Sequence, residues 1–189
     1  RVSRTHRLAE ESWELGDYRR SVELYQVLVE EFPEDPLSSK AQFKKGQTYY
    51  LFLREDKEAV RAFRELINRD PTGPWSRKGP RLPGEIFEKR VQDYRQAVVE
   101  YQRMINLSPG GEGNDEAQLA VARCYFKLGD FEQAREEYEI LLENFPGSTL
   151  RVEALNGLAN SYYVTRRFGE AIRYYREIMT QSDDSRKVA

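Results

Sequence analysis

Five small residues recur at nearly constant intervals, and that register constrains the fold more than any other feature of the chain. Ser21, Ala59, Ala97, Ala134 and Ala171 are separated by 38, 38, 37 and 37 residues. Four residues after each stands an aromatic: Tyr25, Phe63, Tyr101, Tyr138 and Tyr175. Seven after each stands Leu28, Leu66, Met104, Leu141 or Ile178. The twelfth position holds Pro33, Pro71, Pro109 and Pro146, with Asp183 in the fifth copy. A period of this length is the signature of stacked units, each too small to bury its own apolar face.

Offsets of 4 and 7 share one helical face, so each copy reads as an amphipathic helix with a buried stripe. The small residue lets two helix backbones approach, and the aromatic fills the space between neighbouring hairpins. Proline ends the helix because it disfavours helical geometry in the residue before it. Gly16-Asp17 and Gly129-Asp130 supply the preceding turn, Gly by accepting positive φ and Asp as an N-cap. A partner helix is predicted upstream of four of these turns, over 2–15, 37–53, 115–128 and 150–165. The cleanest copy is Gly129 to Pro146, where Ala134, Tyr138 and Leu141 bury and Glu132, Glu136, Glu137 and Glu139 face water. The fold class is therefore all-α, a solenoid of about five helix–turn–helix units at 2–35, 37–71, 72–109, 115–148 and 150–185, forming a single array over 1–189.

The third unit is irregular. Its first helix should fall on 71–84, but that stretch holds Pro71, Pro74, Pro80 and Pro83 with Gly73, Gly79 and Gly84, which cannot make a helix interior. It is either an insertion that exposes a binding edge or a place where residues are absent. The preserved spacing of 38 across it favours a continuous chain. From Glu85 to Leu107 the apolar spacing predicts one long helix, or two short turns meeting near Gln92-Asp93.

Catalysis finds little footing. His6 is the only histidine and Cys124 the only cysteine, so a thiol or triad centre and a zinc site both lack ligands. Cys124 reads as a small packing residue. Glu136-Glu137 and Asp183-Asp184 are adjacent pairs on different helix faces, hence solvated surface. Gly110-Gly111-Glu112-Gly113 lacks the Lys-Ser/Thr of a phosphate loop and runs into Asp115 and Glu116, so it is a connector. No apolar run approaches the ~18–20 residues needed to span a bilayer. No signal peptide is visible; the chain opens on Arg1 without methionine, which leaves room for a leader, lipid anchor or further domain upstream.

The formal net charge of -2 gives no global attraction to nucleic acid. Arg77 to Arg103 is net basic and Asp115 to Glu143 net acidic. Acidic residues interleave the basic stretch, so complementary patches toward a protein partner, or between subunits, are its expected use. The pairs Tyr49-Tyr50, Tyr162-Tyr163 and Tyr174-Tyr175 combine a large contact area with a hydroxyl.

These residues resemble the tetratricopeptide repeat (TPR) family. Asp115 to Ser148 carries Ala122, Tyr125, Gly129-Asp130-Phe131, Ala134, Tyr138 and Pro146 at the family's signature positions. The usual period is about 34 residues, so 37 to 38 is long. Long units ending in Phe32-Pro33-Glu34-Asp35 and Phe145-Pro146-Gly147-Ser148 are similar to those of bacterial envelope TPR proteins, such as the Tol-Pal cell-division coordinator and the outer-membrane assembly lipoprotein. The resemblance implies a right-handed superhelix whose first helices line a concave groove for a peptide or partner protein. It implies groove-facing roles for His6, Glu10 and Trp13; Phe43, Gln47 and Tyr50; Leu119, Arg123 and Phe126; and Asn156, Asn160 and Tyr163. The extra residue between Gly46 and Ala59 blurs the second set. The family's carboxylate clamp is absent, because His6, Glu10, Phe43 and Gln47 occupy its positions. The expected protein is thus a non-enzymatic scaffold without cofactor or metal, in a bacterial periplasm or at an outer membrane. Alternatively it is part of a larger cytoplasmic regulator. The last unit's uncapped stripe adds self-association as an expectation.

Overall fold

The computed structural model describes residues 1–76, 78–79 and 81–187, with side chains through Thr180; Arg77, Pro80 and the side chains of Asp183-Asp184 lie outside the described residues. Among the described residues, ten α-helices and two π-helical segments make up the regular structure, with no strand. The helices are α1 (Val2–Glu14), α2 (Tyr18–Glu31), α3 (Pro36–Thr48), α4 (Asp56–Arg69), α5 (Arg81–Glu85), α6 (Tyr94–Leu107), α7 (Asn114–Leu128), α8 (Phe131–Asn144), α9 (Arg151–Val164) and α10 (Phe168–Lys187). The π segments are Tyr49–Leu53, continuing α3, and Ile86–Val91, continuing α5. The chain forms two compact units, Arg1–Val91 and Gln92–Ala189.

Within each unit the repeat register sits where its chemistry requires. Tyr25, Phe63, Leu28 and Leu66 in the first unit, and Tyr101, Tyr138 and Leu141 in the second, are buried. Full burial of one such side chain contributes about 1.5–3 kcal/mol. The small residues permit the approach: Ser21 Oγ donates to the Ala9 carbonyl at 2.9 Å, tying α2 to α1. A Cβ on Gly46 would stand 2.8 Å from the Phe63 ring.

A second register fastens the ends of α2, α4 and α6 to the segment that follows each. Ser38 Oγ donates to the Leu28 carbonyl at 3.1 Å, and Ser76 Oγ donates to the Leu66 carbonyl at 3.3 Å. Thirty-eight residues after Ser76, Asn114 Nδ2 donates to the Ser108 carbonyl at 2.6 Å. Each of these carbonyls also accepts a backbone N–H, from Phe32, Asp70 and Gly111 at 3.1, 3.1 and 2.9 Å, so the side chain takes up the second lone pair of the oxygen. Ser76 makes its bond from inside the proline-rich stretch, so the irregular repeat keeps its register even where it is not helical.

Five turns share one backbone device. Gly16, Arg54, Gln92, Gly129 and Arg166 all have φ between 58° and 79°, and each lies five residues before a register residue. The next residue caps the following helix in three copies. Asp17 accepts from Arg20 N at 3.2 Å, Asp93 from Gln96 N at 3.1 Å and Asp130 from Gln133 N at 3.2 Å. Only two of the five carry the expected glycine; Arg54, Gln92 and Arg166 hold the left-handed conformation with a side chain.

The stretch 85–107 is not one long helix. Gln92 in the left-handed region and Asp93 as cap end one element and start α6, so the break falls at the expected junction. The irregular segment also ends earlier than 84, because Pro83 and Gly84 lie within α5. Pro83 is tolerated there because the first turn of a helix does not need its amide hydrogen.

Candidate protein-binding faces

In the first unit, α1 and α3 present a group of charged and aromatic side chains. Tyr25 donates its hydroxyl to Glu10 Oε1 at 3.0 Å, and Lys40 Nζ lies 3.6 Å from the same oxygen. His6 Nε2 is 3.5 Å from Glu10 but makes no hydrogen bond. Burial holds the His6 pKa below its ordinary value, with Lys40 adding to the effect and Glu10 opposing it. Burial pushes the Tyr25 phenol up, and Glu10 reinforces the shift. Trp13 carries Lys44 Nζ at 5.0 Å over its ring. Its edge meets Phe52 at 5.4 Å, and Phe52 stacks on Tyr18 at 4.2 Å. Leu51 and Phe52 stay exposed beside them. This is a cation set on an aromatic plate, each ring and the ammonium within cation–π or stacking distance of the next.

The remaining first-unit candidates divide. Gln47 is half-buried. Phe43 is only 6% exposed, because Trp75 lies 5.3 Å from its ring and Phe63 5.9 Å. It belongs to the core and offers no binding surface, which corrects the expectation for this residue. The irregular stretch supplies the covering ring. Tyr50 is also covered: the Arg90 guanidinium lies 5.0 Å over its ring, and Arg90 Nη1 donates to the Tyr50 carbonyl at 2.6 Å. Arg90 pairs in addition with Asp56 at 3.0 Å.

In the second unit α7 and α9 carry the candidates. Leu119 is 3% exposed within a cluster containing Ala122, Tyr138 and Leu158, so it too is core rather than surface. Arg123 reaches Glu153 at 3.5 Å. Phe126 packs edge-on against Phe131 at 5.2 Å. Asn160 Oδ1 accepts from the Tyr175 hydroxyl at 2.6 Å, repeating the Tyr25–Glu10 arrangement. Asn156 and Tyr163 are exposed, and Tyr163 meets Phe168 at 5.5 Å. Burial pushes the Tyr138 phenol up to about 12.

Sequence reasoning missed Lys40, Lys44 and Phe52. Lys40 and Lys44 stand one helical turn apart, the signal that placed them on one face; Phe52 gave no signal, because its placement depends on the π winding. Tyr162, the first of a tyrosine pair that the sequence already singles out, stacks on Tyr174 at 5.6 Å and carries Arg135 and Arg167, each 4.9 Å from its centroid. Among the described residues no group of three His, Cys, Asp or Glu is placed to hold a metal, and no helix is long and apolar enough to cross a membrane.

Family models described as tetratricopeptide repeat match residues 6–74 and 90–155, and the chain belongs to that family. No curated protein sequence matches it. Among solved structures, a MamA protein superposes with a TM-score of 0.69 at 17% identity, covering 98% of this chain and 94% of that one. YrrB, described as a TPR protein with an unusual peptide-binding site, gives a TM-score of 0.61 at 17% identity, covering 93% of this chain and 84% of that one. A putative kinesin light chain from Podosopora anserina with nearly identical TPR-like repeats gives 0.62 at 16% identity, covering 98% and 96%. At these identities the likeness establishes a TPR-like solenoid fold.

Proposed function

We propose that this chain is a non-catalytic protein-binding scaffold and that the α1–α3 face of the first unit receives a peptide segment of its partner. The observation that carries the proposal is Lys44 poised over Trp13, with Phe52 and Leu51 exposed alongside. The family membership and the peptide-binding description of YrrB support it. The test is a displayed library of random 16-residue peptides selected on the full chain, followed by affinity measurements. A peptide class that loses at least tenfold in affinity on Trp13→Ala or Lys44→Glu supports the reading. Peptides indifferent to both variants overturn it.

The long repeat and the Phe-Pro helix ends support an assignment of this scaffold to a bacterial envelope complex. A full-length precursor with no leader, found only in cytosolic fractions, would sink that assignment. Self-association is the second reading, and a register comparison favours it. One and eight residues after the register position, Val22, Val29, Val60 and Ile67 are at most 6% exposed, whereas Ile172 and Met179 are 49% and 66% exposed. Mass measured against concentration should rise for the native chain and stay monomeric for Ile172→Glu/Met179→Glu; a native chain that remains monomeric at high concentration rejects this reading.

A further inference from the structure

A cleft of about 410 Å³ lies between α2 and α4, lined in part by Val22, Glu23, Lys45, Tyr49, Arg61 and Ala62. All of its lining belongs to Arg1–Val91. The repeat builds the same place again inside the other unit, between α8 and α10. Counterparts stand 113 positions on for α2 and α3 and 112 for α4, the π turn at Tyr49–Leu53 accounting for the difference. By that count Tyr49, Glu58, Arg61 and Glu65 match the identical residues Tyr162, Glu170, Arg173 and Glu177.

The second copy is filled by the chain's own side chains. Tyr174 stacks on Tyr162 at 5.6 Å, and Arg135 and Arg167 each lie 4.9 Å from the Tyr162 centroid. In the first copy the residues at those three places are Ala62, Val22 and Glu55, which bring neither a ring nor a cation to Tyr49. Glu55 turns instead to Arg19. Lys45 stands where Leu158 does, but its amine is held by Gln26 Oε1 at 2.6 Å and lies 3.8 Å from Glu65, and the cleft stays open with the lysine in place. Of the three carboxylates in the lining, Glu65 is thus beside Lys45 and Glu58 pairs with Arg61 at 3.2 Å. The third, Glu23, is exposed on α2 and takes no cation among the described residues.

We propose that the α2–α4 cleft docks a segment of a partner protein that presents an aromatic residue beside an arginine, the two groups that the filled copy supplies from within. The ring lies on Tyr49 as Tyr174 lies on Tyr162, and the guanidinium meets Glu23. The size suits one such ring, since ligand sites begin at ~300 Å³, and aromatic and arginine side chains are the usual anchors of protein interfaces. The exposed Arg61–Glu58 pair can rearrange around the incoming segment at little cost. The site is separate from the Trp13–Lys44 face, which α1 and α3 form, so it stands or falls independently of the peptide site proposed above.

The experiment uses the same displayed 16-residue library on the full chain, with thermal unfolding as the check on folding. Val22→Arg/Ala62→Tyr gives the cleft two residues of the filled copy, and Glu23→Lys reverses one exposed charge without touching the packing. The expected result is a peptide class with an aromatic residue close to an arginine. That class should lose at least tenfold in affinity on the double variant and at least threefold on Glu23→Lys, weaken with salt, and be unaffected by Trp13→Ala. Where the double variant does not fold, Glu23→Lys and the salt dependence decide. The proposal is overturned if no such class is enriched or if its affinity survives Glu23→Lys. It is equally overturned if the native chain's mass rises with concentration and Glu23→Lys returns it to a monomer, since the occupant is then a second copy.

Discussion

Tyr25 holds Glu10 through a hydroxyl-to-carboxylate bond of 3.0 Å. The ring is a buried register position, and the carboxylate sits among the groups of the candidate face, so the repeat core orients the face proposed to receive a peptide. Tyr175 and Asn160 repeat the bond at 2.6 Å. Hydrogen bonds to charged groups contribute about 1.5–3 kcal/mol, and neutral ones about 1. Tyr25→Phe should therefore cost about 1.5 kcal/mol in urea denaturation, and Tyr175→Phe about 1. Equal, near-zero effects would show that the hydroxyls orient nothing.

Arg54, Gln92 and Arg166 hold φ values of 58–61° where two other copies use glycine. A side chain in the left-handed region costs about 1–2 kcal/mol, partly offset by the flexibility glycine adds to the unfolded chain. Each single change to glycine should raise stability by about 0.5–1 kcal/mol, read as a higher urea midpoint with an unchanged slope. Arg54→Ala should give no gain, and Gly129→Ala should lose about 1 kcal/mol.

Gly157 faces the Tyr138 ring so closely that a Cβ there would overlap it. Alanine improves helix propensity by about 1 kcal/mol, yet overpacking costs about 1–3, and Tyr138 is buried with little room to turn. Gly157→Ala should destabilise the fold by about 1–2 kcal/mol by calorimetry. At Gly147 a Cβ meets nothing within 4 Å, and substitution there should not lower the melting temperature. A Gly157→Ala chain as stable as the native one would show that the Tyr138 packing is soft.

His6 gives stability a pH dependence. Its pKa in the folded chain lies below the 6.5 of an ordinary imidazole, because burial, Lys40 and Lys44 outweigh Glu10. The unfolded chain then binds the proton more tightly, so the contribution of neutral His6 is complete above about pH 6.5 and is lost as pH falls through the folded value. The slope cannot exceed about 1.4 kcal/mol per pH unit for one proton. His6→Gln should flatten this part of the stability curve between about pH 7 and 5; an unchanged curve would assign the dependence to other groups.

The helical hairpins were legible in the sequence because offsets of 4 and 7 from Ser21, Ala59, Ala97, Ala134 and Ala171 are local. The fate of the candidate face was less so. The family resemblance puts Phe43 and Leu119 at groove positions, but their burial is decided by residues distant in sequence: Trp75 from the irregular stretch in one case, Tyr138 and Leu158 in the other. Lys44 meets Trp13 only because α3 packs beside α1. The left-handed Arg54, Gln92 and Arg166 were invisible for a different reason: arginine and glutamine carry no turn preference, and their conformation is imposed by the hairpin.

The two π segments account for the uneven period. Both 38-residue intervals contain one, and neither 37-residue interval does. A π turn winds one more residue into a helix without moving the downstream chain, so an insertion is absorbed where it arises and the next stripe keeps its phase. The widened turn at Tyr49–Leu53 also provides the Tyr50 carbonyl that accepts from Arg90 at 2.6 Å. A length change that would ordinarily throw a repeat out of step has become the anchor point for the segment packed against it.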